Sequence, residues 1–384
     1  MISTILLCAW VALAAPAGNA NATAVHLLRV PDAGIQPQSA RDERGRLHLI
    51  YFKGPARGGD IFYVHSNDSG ATFSPPLAVN SQPGSAIAAG NVRGAHLAVG
   101  KNGRVHVAWM GARLPTEPGG LHLSPMLYAR LNGAGNAFEP QRNLIGSAYG
   151  LDGGGSVAAD RSGNVYVVWH APEPGKQGEA DRRVWVARSS DSGKTFAPER
   201  AAIADSTGAC GCCGMRAFAD PSGGLYILYR SASEIVHRDM YLLASRDKGR
   251  SFQRTKVGEW QVGHCVMSTA SLALNGPSIL AAWEDEEQVH VGHVKPGSAT
   301  LLNSAPAPGP ASKRKHPSVA SNSRGETLLA WTEGMGWQKG GRLAWQIYDA
   351  QGRPTDQHGS AEGVPAWSLI SAVARADGGF TIFY

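Results

Sequence analysis

Four of the five cysteines lie in two short segments, Cys210-Gly211-Cys212-Cys213 and His264-Cys265. Thiolates are soft metal ligands, and two suitably placed thiols form a disulfide. An even number of cysteines in an exported chain favours disulfides, so we expect one or two that tie these segments together. The alternative is a reactive thiol or a copper-type metal site. Soft or borderline ligands for such a site would be His264, Met215, Met267, His96 and His316.

Four acidic residues are candidates for acid–base or nucleophilic chemistry: Asp152, Glu284, Asp285 and Glu333. Glycoside hydrolysis typically uses a pair of carboxyl groups that flank the bond to be broken. Each of these residues alone is more often a solvated loop group. The sequence therefore indicates candidates for catalysis, and we assign none of them as a nucleophile.

The composition favours an all-β protein. The chain has 384 residues, of which 48 are glycine and 17% are charged, and many Gly-rich turns separate short apolar runs. The net charge is +6, yet the densest basic run is only Lys313-Arg314-Lys315-His316. We therefore expect no nucleic-acid partner, and a basic face that attracts an anionic ligand.

A repeated unit organises the chain. Seven times a glycine turn leads into a strand-like run that usually ends in an aromatic residue, as in Gly103-Arg104-Val105-His106-Val107-Ala108-Trp109. The leading glycines, at 45, 103, 163, 223, 276, 325 and 378, lie 49 to 60 residues apart. That interval fits a four-stranded propeller blade with its loops. We predict a single β-propeller of seven blades, in which residues 24–30 complete the seventh.

A second motif, Ser-x-Asp-x-Gly-x-(Thr/Ser)-Phe, follows three strand-like runs, at 66–73, 189–196 and 245–252. The Asp carboxylate can accept backbone hydrogen bonds and fold a tight turn, and the Gly adopts a positive φ at little cost. The Phe is expected to anchor the loop. The turn-forming residues are Asp68, Gly70, Asp191, Gly193, Asp247 and Gly249.

This motif resembles the Asp-box, or BNR, repeat of the sialidase superfamily. The resemblance covers residues 23–384, essentially the whole chain after its first 22 residues. It implies a propeller fold, and because sialidases have six blades, six blades with an irregular closure is the alternative. Asp-boxes are structural and also occur in propellers that are not enzymes, so the repeat does not fix the activity.

Propeller topology assigns the unusual residues to one face. The turns between the first and second strands of a blade share a face with the Asp-boxes, which join the third and fourth strands. The loops between second and third strands and the connections from one blade to the next therefore share the opposite face. That opposite face receives the cysteine segments and the candidate carboxylates. Sialidases hold their substrate there, so the resemblance makes this channel face our candidate site, with the two cysteine segments at the starts of neighbouring blades four and five.

Sialidases clamp the substrate carboxylate with three arginines, since bidentate guanidinium contacts fix a carboxylate well. Arg93 and Arg216 lie at the starts of innermost strands, and Arg238 ends a loop on the same face. Arg29 lies too far before Gly45 to match the family's first clamp arginine, where this chain has Gln36-Pro37 instead. The clamp is therefore incomplete, which argues against a true sialidase. Tyr149 is the nearest candidate for the family's tyrosine nucleophile.

Ten tryptophans supply both core and candidate ligand contacts. Trp109, Trp169, Trp283 and Trp331 repeat at strand ends, so we predict that they pack in the core. Trp337, Trp260 and Trp367 fall outside that pattern and are better placed to stack on a sugar ring. We take Arg93, Arg216, Arg238, His316 and Trp337 as candidate substrate-binding residues.

The N-terminus is typical of a secretory signal. Residues 5–15 are apolar and contain Cys8, and small residues follow at 20–22. We predict a signal peptide over 1–22 and a monomeric, exported protein, periplasmic or secreted, without a membrane span. Three hypotheses compete for its function: a sialidase-like protein that binds or also hydrolyses a glycan, a non-catalytic binding scaffold, and a periplasmic copper-type binding protein.

Overall fold

The computed structural model describes residues 24–112, 123–234 and 236–384, and the strands within these ranges form seven sheets in a ring. Six sheets have four antiparallel strands in chain order, and the seventh has three. The all-β prediction and the count of seven blades are both confirmed, whereas the alternative of six blades is wrong. The predicted signal peptide, including Cys8, lies outside the described residues.

In each of the first four blades, the strands follow one another in chain order from the inside of the ring outward. They are β2 (Ile35–Arg41), β3 (Leu47–Lys53), β4 (Asp60–Ser66) and β5 (Leu77–Ala78); β6 (His96–Val99), β7 (Val105–Met110), β8 (Met126–Arg130) and β9 (Arg142–Asn143); β10 (Gly155–Ala159), β11 (Val165–Pro172), β12 (Arg182–Ser189) and β13 (Ala197–Ala201); and β14 (Arg216–Ala219), β15 (Leu225–Arg230), β16 (Met240–Ser245) and β17 (Gln253–Gly258).

The next two blades follow the same order. They are β18 (Ser271–Asn275), β19 (Ser278–Asp285), β20 (Gln288–Val294) and β21 (Leu301–Pro306); and β22 (Arg314–Ser321), β23 (Thr327–Glu333), β24 (Gly341–Tyr348) and β25 (Pro354–Val364). The seventh blade combines both ends of the described chain: β26 (Ser371–Ala374), β27 (Phe380–Phe383) and β1 (Val25–Leu28).

The N-terminal strand closes the ring as predicted. Strand β1 pairs with β27 in parallel, whereas every other strand pair within a blade is antiparallel in the part of the chain that the structure describes. The backbone N–H of Phe380 donates to Ala24 (2.7 Å) and that of Tyr384 donates to Leu28 (3.1 Å). The innermost strands of neighbouring blades contact one another all the way around the ring.

The hydrophobic core is divided among the spaces between neighbouring blades. Seven apolar clusters each combine residues of two adjacent blades. As predicted, the strand-end tryptophans lie in these spaces, and Trp109, Trp169 and Trp283 are fully buried. Removing one such side chain typically costs about 3–5 kcal/mol, so these residues stabilise the contacts between blades.

Two kinds of turn shape one face of the ring. In the turns that join first and second strands, Asp42, Asp160, Asp220 and Asn322 each accept hydrogen bonds from backbone N–H groups two and four residues later. The three Ser-x-Asp-x-Gly turns join third and fourth strands on the same face. The remaining connections therefore form the opposite face, as the topology predicted. In the described residues no helix has the length and hydrophobicity that a membrane crossing requires.

Candidate functional site

Seven equivalent positions on the innermost strands surround the channel near the face opposite the turns. The residue at each position pairs, across to the second strand of the same blade, with the residue just before the strand-end aromatic residue. The seven residues are Gln38, His96, Ser156, Arg216, Ser271, Ser318 and Ser371. The serine hydroxyls connect neighbouring blades. Ser156, for example, accepts a hydrogen bond from the Ala217 N–H (3.0 Å), and Ser371 accepts one from the Ser39 N–H (2.9 Å).

Three of these positions carry larger polar side chains that meet across the channel. Arg216 Nη1 of the fourth blade donates to Gln38 Oε1 of the first (2.7 Å) and lies 3.5 Å from His96 Nδ1 of the second. His96 Nδ1 also lies 2.7 Å from the Ser156 hydroxyl. We call Gln38, His96, Ser156 and Arg216 the channel cluster. Gln38, His96 and Arg216 line a cavity of about 400 Å³ that all seven innermost strands surround.

Arg216 is half-buried and differs from the five buried arginines in that no acidic partner pairs with it among the described residues. Arg130, Arg230, Arg238, Arg314 and Arg375 each form an ion pair with a carboxylate. Within the described ranges no carboxylate pairs with Arg216, and its buried Nε has no hydrogen-bond partner. Burial lowers the pKa of Arg216 to about 10 because the charged guanidinium is poorly solvated there. The guanidinium is thus available to an anion.

The edge of the channel carries an ion pair and two tryptophans. Arg93 Nη2 donates to Asp152 Oδ1 over 2.6 Å, so this candidate clamp arginine already has an acidic partner. Trp337, whose exposed fraction is 51%, packs edge-on against Trp367 with a centroid separation of 4.6 Å. The absence of a side chain at Gly90 leaves room for both the Arg93 guanidinium and the Trp337 ring. Arg93 and the tryptophan pair are therefore neighbours.

The connection that carries Arg93 lies against the starts of two more distant innermost strands. A Cβ atom at Gly154 would lie 2.6 Å from the Val92 carbonyl oxygen, and one at Gly214 would lie 3.5 Å from it. Gly154 also has a positive φ of 77°. A side chain at Gly154 would push this connection away from the third blade, so the glycine fixes Arg93 beside the channel.

The cysteine segments separate in the structure. Cys210, Cys212 and Cys213 are buried in one turn, with their sulfur atoms within 4.8 Å of one another. The Cys210 thiol hydrogen bonds to Cys213 Sγ over 2.8 Å. Cys265 is exposed and, like the other three, is a free cysteine. The predicted disulfide between the two segments is thus not confirmed, because one turn brings three of the sulfurs together without the fourth.

Positive charge surrounds this turn, which we call the cysteine cluster (Cys210, Cys212 and Cys213). Arg182, Arg230 and Arg238 all lie within electrostatic reach of its sulfur atoms. Arg238, a candidate substrate-binding residue, instead pairs with Glu179 over 2.7 Å beneath the surface, away from the channel cluster.

The histidines proposed as additional ligands have other positions. His264 is exposed, whereas His316 is buried with Nδ1 3.4 Å from the Thr269 hydroxyl. Burial lowers the pKa of His316 to about 3, so this candidate substrate-binding residue is a neutral imidazole. In the described part of the chain the metal-ligand group at this turn consists of the three cysteines.

Two of the candidate carboxylates occupy matching structural positions in blades five and six. Asp285 accepts a hydrogen bond from Trp283 Nε1 (2.6 Å) and pairs with Arg230 (3.3 Å). Glu333 accepts one from Trp331 Nε1 (2.8 Å) and pairs with Arg314 and Arg342. Both carboxylates are therefore engaged in ion pairs at the ends of the second strands of their blades.

Glu284 and Tyr149 complete the set of candidate catalytic residues. Glu284 is buried, and neither side-chain oxygen has a hydrogen-bond partner of good geometry. Burial raises the pKa of Glu284 to about 7, although the charges of Lys315 and Arg230 oppose this shift. The Tyr149 hydroxyl lies 3.1 Å from Asn143 Nδ2, on the outer strand β9. The structure therefore does not bring Tyr149 to the channel cluster.

The sequence prediction missed Gln38 and Ser156 of the channel cluster and the arginines Arg182 and Arg230. One signal was available, because in six of the seven repeats the channel-lining residue lies seven positions before the leading glycine. In those six repeats that position holds serine three times, and the other three residues are Gln38, His96 and Arg216. No local signal marks Arg182 or Arg230, which approach the cysteines only through the packing of blades three to five.

No family model and no curated protein sequence matches this chain. Solved structures do match it. A protein of unknown function from Dyadobacter fermentans has a TM-score of 0.53 at 16% identity, covering 82% of this chain and 94% of that one. The Hadza microbial sialidase Hz136 has a TM-score of 0.53 at 14% identity, covering 83% of this chain and 66% of that one.

A fungal alcohol oxidase of the AA5 family, solved in complex with copper, has a TM-score of 0.51 at 12% identity, covering 90% of this chain and 69% of that one. The structural neighbours are sialidases and other propeller proteins. At these identities the likeness shows a shared propeller fold. The function therefore has to be argued from this chain's own channel and cysteine residues.

Proposed function

We propose that this protein binds a glycan that bears a carboxylate, with Arg216 as the partner of that carboxylate. The observation that carries this proposal is that no carboxylate of the described residues pairs with Arg216 in the channel. Shielding a guanidinium from water without an anion is costly, and Arg216 has a buried Nε that lacks a partner. A ligand carboxylate would supply both the charge and the hydrogen-bond acceptors. The channel cavity of about 400 Å³ is within the usual range for small-molecule sites.

The edge of the channel suits the rest of a sugar chain. Trp337 and Trp367 offer aromatic faces beside Arg93, and aromatic rings stack on the apolar faces of sugar rings. The Arg93–Asp152 pair offers both donors and acceptors to hydroxyl groups. Arg216 would thus select the charge of the ligand, while the tryptophans and the ion pair would contact neutral sugar units.

Binding without hydrolysis is the activity that this arrangement favours. No tyrosine lines the cavity among the described residues. Asp285 and Glu333 already neutralise arginines at the blade edges, and Asp152 pairs with Arg93. Glu284 is the one candidate carboxylate without an ion pair, so among the described residues neither a pair of free carboxyl groups nor the tyrosine that sialidases use is gathered around Arg216.

The test compares sialyllactose with lactose, which differ by the acidic sugar, by calorimetric titration into the purified full chain. We expect measurable binding of sialyllactose alone. Arg216→Gln should weaken it at least tenfold, because it removes the charge and the bidentate donor. Arg41→Gln is the matched control, since Arg41 lines the same cavity but donates to Gly45 and Ala374 near the turn face.

Each outcome has a definite meaning provided that both variants keep the wild-type circular dichroism spectrum and melting profile. Equal affinity for lactose and sialyllactose would contradict a role for the carboxylate. Unchanged binding by Arg216→Gln, or equal loss by Arg41→Gln, would remove Arg216 from the site. Release of free sialic acid by the wild type would contradict binding without hydrolysis.

A further inference from the structure

The cysteine cluster is a second assembly of reactive groups that the proposed glycan site does not use. Its three sulfur atoms lie within 4.8 Å of one another, and all three residues are buried. The Cys213 N–H donates to the Cys210 carbonyl oxygen over 3.2 Å, so a tight turn holds the first and third sulfurs on one side. Val266 and Trp260 pack against this turn from the connection between β17 and β18. The sulfurs are therefore held together before any ligand arrives.

Unused hydrogen-bond donors surround the sulfurs. Arg238 has a side-chain exposure of only 4%, and its Nε and Nη1 atoms have no hydrogen-bond partner although Nη2 pairs with Glu179. The buried Nε of Arg182 also lacks a partner. Buried guanidinium groups with free N–H donors favour negative charge close by, and thiolate sulfur can supply it.

We propose that Cys210, Cys212 and Cys213 together bind one copper(I) ion through their thiolate sulfurs. Copper(I) is soft, prefers sulfur and accepts low coordination numbers. In the described residues the three cysteines form the group without a histidine or carboxylate as fourth ligand. Structural zinc sites are almost always four-coordinate, so the donor set favours copper(I) over zinc.

The surrounding charge matches this assignment. Three thiolates and one monovalent cation carry two negative charges, while three thiols carry none. Arg182, Arg230 and Arg238 lie within electrostatic reach of the sulfurs. Carboxylates offset part of this charge, because Glu179 and Asp285 form ion pairs with Arg238 and Arg230, and Asp152 and Glu284 lie within electrostatic reach of Arg182 and Arg230. Metal binding would release the thiol protons to solvent and leave the thiolates stabilised by these guanidinium groups.

The chain provides its own matched control in Cys265. It is exposed and outside the cluster, although the adjacent Val266 packs against the cluster. Reduced, metal-free full-length protein would be titrated without oxygen into the copper(I)–bicinchoninate complex. We expect wild type and Cys265→Ser to withdraw one equivalent of copper(I) per chain. Cys212→Ser and Cys213→Ser should bind it at least tenfold more weakly.

A second measurement on the wild type avoids any folding defect of the variants. With copper(I) bound, iodoacetamide should alkylate Cys265 and spare Cys210, Cys212 and Cys213, and X-ray absorption should give sulfur as the only element bonded to copper. Failure of the folded wild type to withdraw copper(I) would overturn the proposal. So would equal loss in Cys265→Ser, protection of Cys265, or tighter retention of zinc(II) than of copper(I).

Discussion

His106 shows how a single buried side chain can control the response of the molecule to acid. It lies fully buried in β7, with Nδ1 2.7 Å from the Tyr128 hydroxyl, and its Nε2 has no partner. The equivalent His48 in the first blade has Asp42 within 3.3 Å of Nε2. Burial lowers the pKa of His106 to about 3, and the positive charges of Arg104 and Arg130 act in the same direction.

We predict that His106→Gln makes the free energy of unfolding less dependent on pH. Between about pH 6.5 and 3 the unfolded state binds a proton at His106 that the folded state refuses, so stability falls as the pH falls. At pH 5 this loss is roughly 2 kcal/mol for one such histidine. Urea denaturation at pH 7 and pH 5 would measure it.

His358→Gln is the control, because His358 is exposed on the outer strand β25. The two midpoints should differ less in His106→Gln than in the wild type, and the control should match the wild type. An unchanged pH dependence in His106→Gln would show that the buried imidazole is not the group responsible.

The structural positions of some residues could be predicted from the sequence, whereas the contacts of others could not. The strand-end tryptophans were predicted to lie in the core because they occur at the same position of several repeats. A residue type that recurs at one position of a repeat indicates the same packing environment in each copy. Arg216 was expected to face the channel because it lies at the start of an innermost strand. Its lack of a counter-ion could not be predicted, because the nearby residues Gln38 and His96 come from blades far away in sequence.

At the scale of the element, the Ser-x-Asp-x-Gly turn is fixed by a few short hydrogen bonds. Asp191 accepts hydrogen bonds from the Ser189 hydroxyl (2.7 Å) and from the Thr195 N–H (2.9 Å) and hydroxyl (2.6 Å). A Cβ atom at Gly193 would clash with the Tyr128 hydroxyl of the preceding blade. Phe196 packs edge-on against Tyr128 with centroids 4.9 Å apart. The turn therefore also joins two blades.

We predict that Asp191→Asn destabilises the protein at neutral pH by about 1 kcal/mol, the usual net value of a few exposed hydrogen bonds to a charged group. Partial burial raises the pKa of Asp191, but its hydrogen bonds to Thr195 and Ser189 outweigh this and lower it overall. The contribution is therefore present above about pH 4 and lost as the pH falls further.

Denaturation midpoints of wild type and variant should converge in acid. Asp356→Asn, an exposed residue of the outer strand β25, should have no effect at either pH. A gap between Asp191→Asn and wild type that stayed constant down to pH 3 would contradict the assigned cause.

The local elements were predictable for a physical reason. Turns form from hydrogen bonds between residues two to four positions apart, so both turn types leave a short, recognisable pattern. The cysteine cluster is equally local, since its three sulfurs come from four consecutive residues. The predicted disulfide with Cys265 was not confirmed. It required the segment around Cys265 to direct that side chain towards the cysteine cluster, and no local pattern specifies such an orientation.

At the scale of the whole molecule, the ring is closed by one short strand. Leu27 of β1 is opposite Ile382 and packs in the cluster between the sixth and seventh blades. We predict that Leu27→Ala lowers the free energy of unfolding by about 2 kcal/mol, the low end for a buried leucine, because the side chain is only half-buried. Chemical denaturation would measure the change.

Leu302→Ala is the matched control, since Leu302 is also in a strand but has an exposed fraction of 58%. We expect little change in that variant. Equal stability of the two variants would mean that the β1 contacts add nothing to closure. The number of blades followed from the repeated glycine spacing, but the parallel direction of β1 did not, since residues 24–30 carry no signal for strand direction.

That parallel pairing has a mechanical consequence. In antiparallel pairing the N-terminal end of β1 and the C-terminal end of β27 would lie side by side, and tension between them would open the hydrogen bonds one by one. In the parallel pair these two ends lie at opposite ends of the strands. Tension applied between Val25 and Tyr384 would therefore act along the strands as shear and would load the closing hydrogen bonds simultaneously.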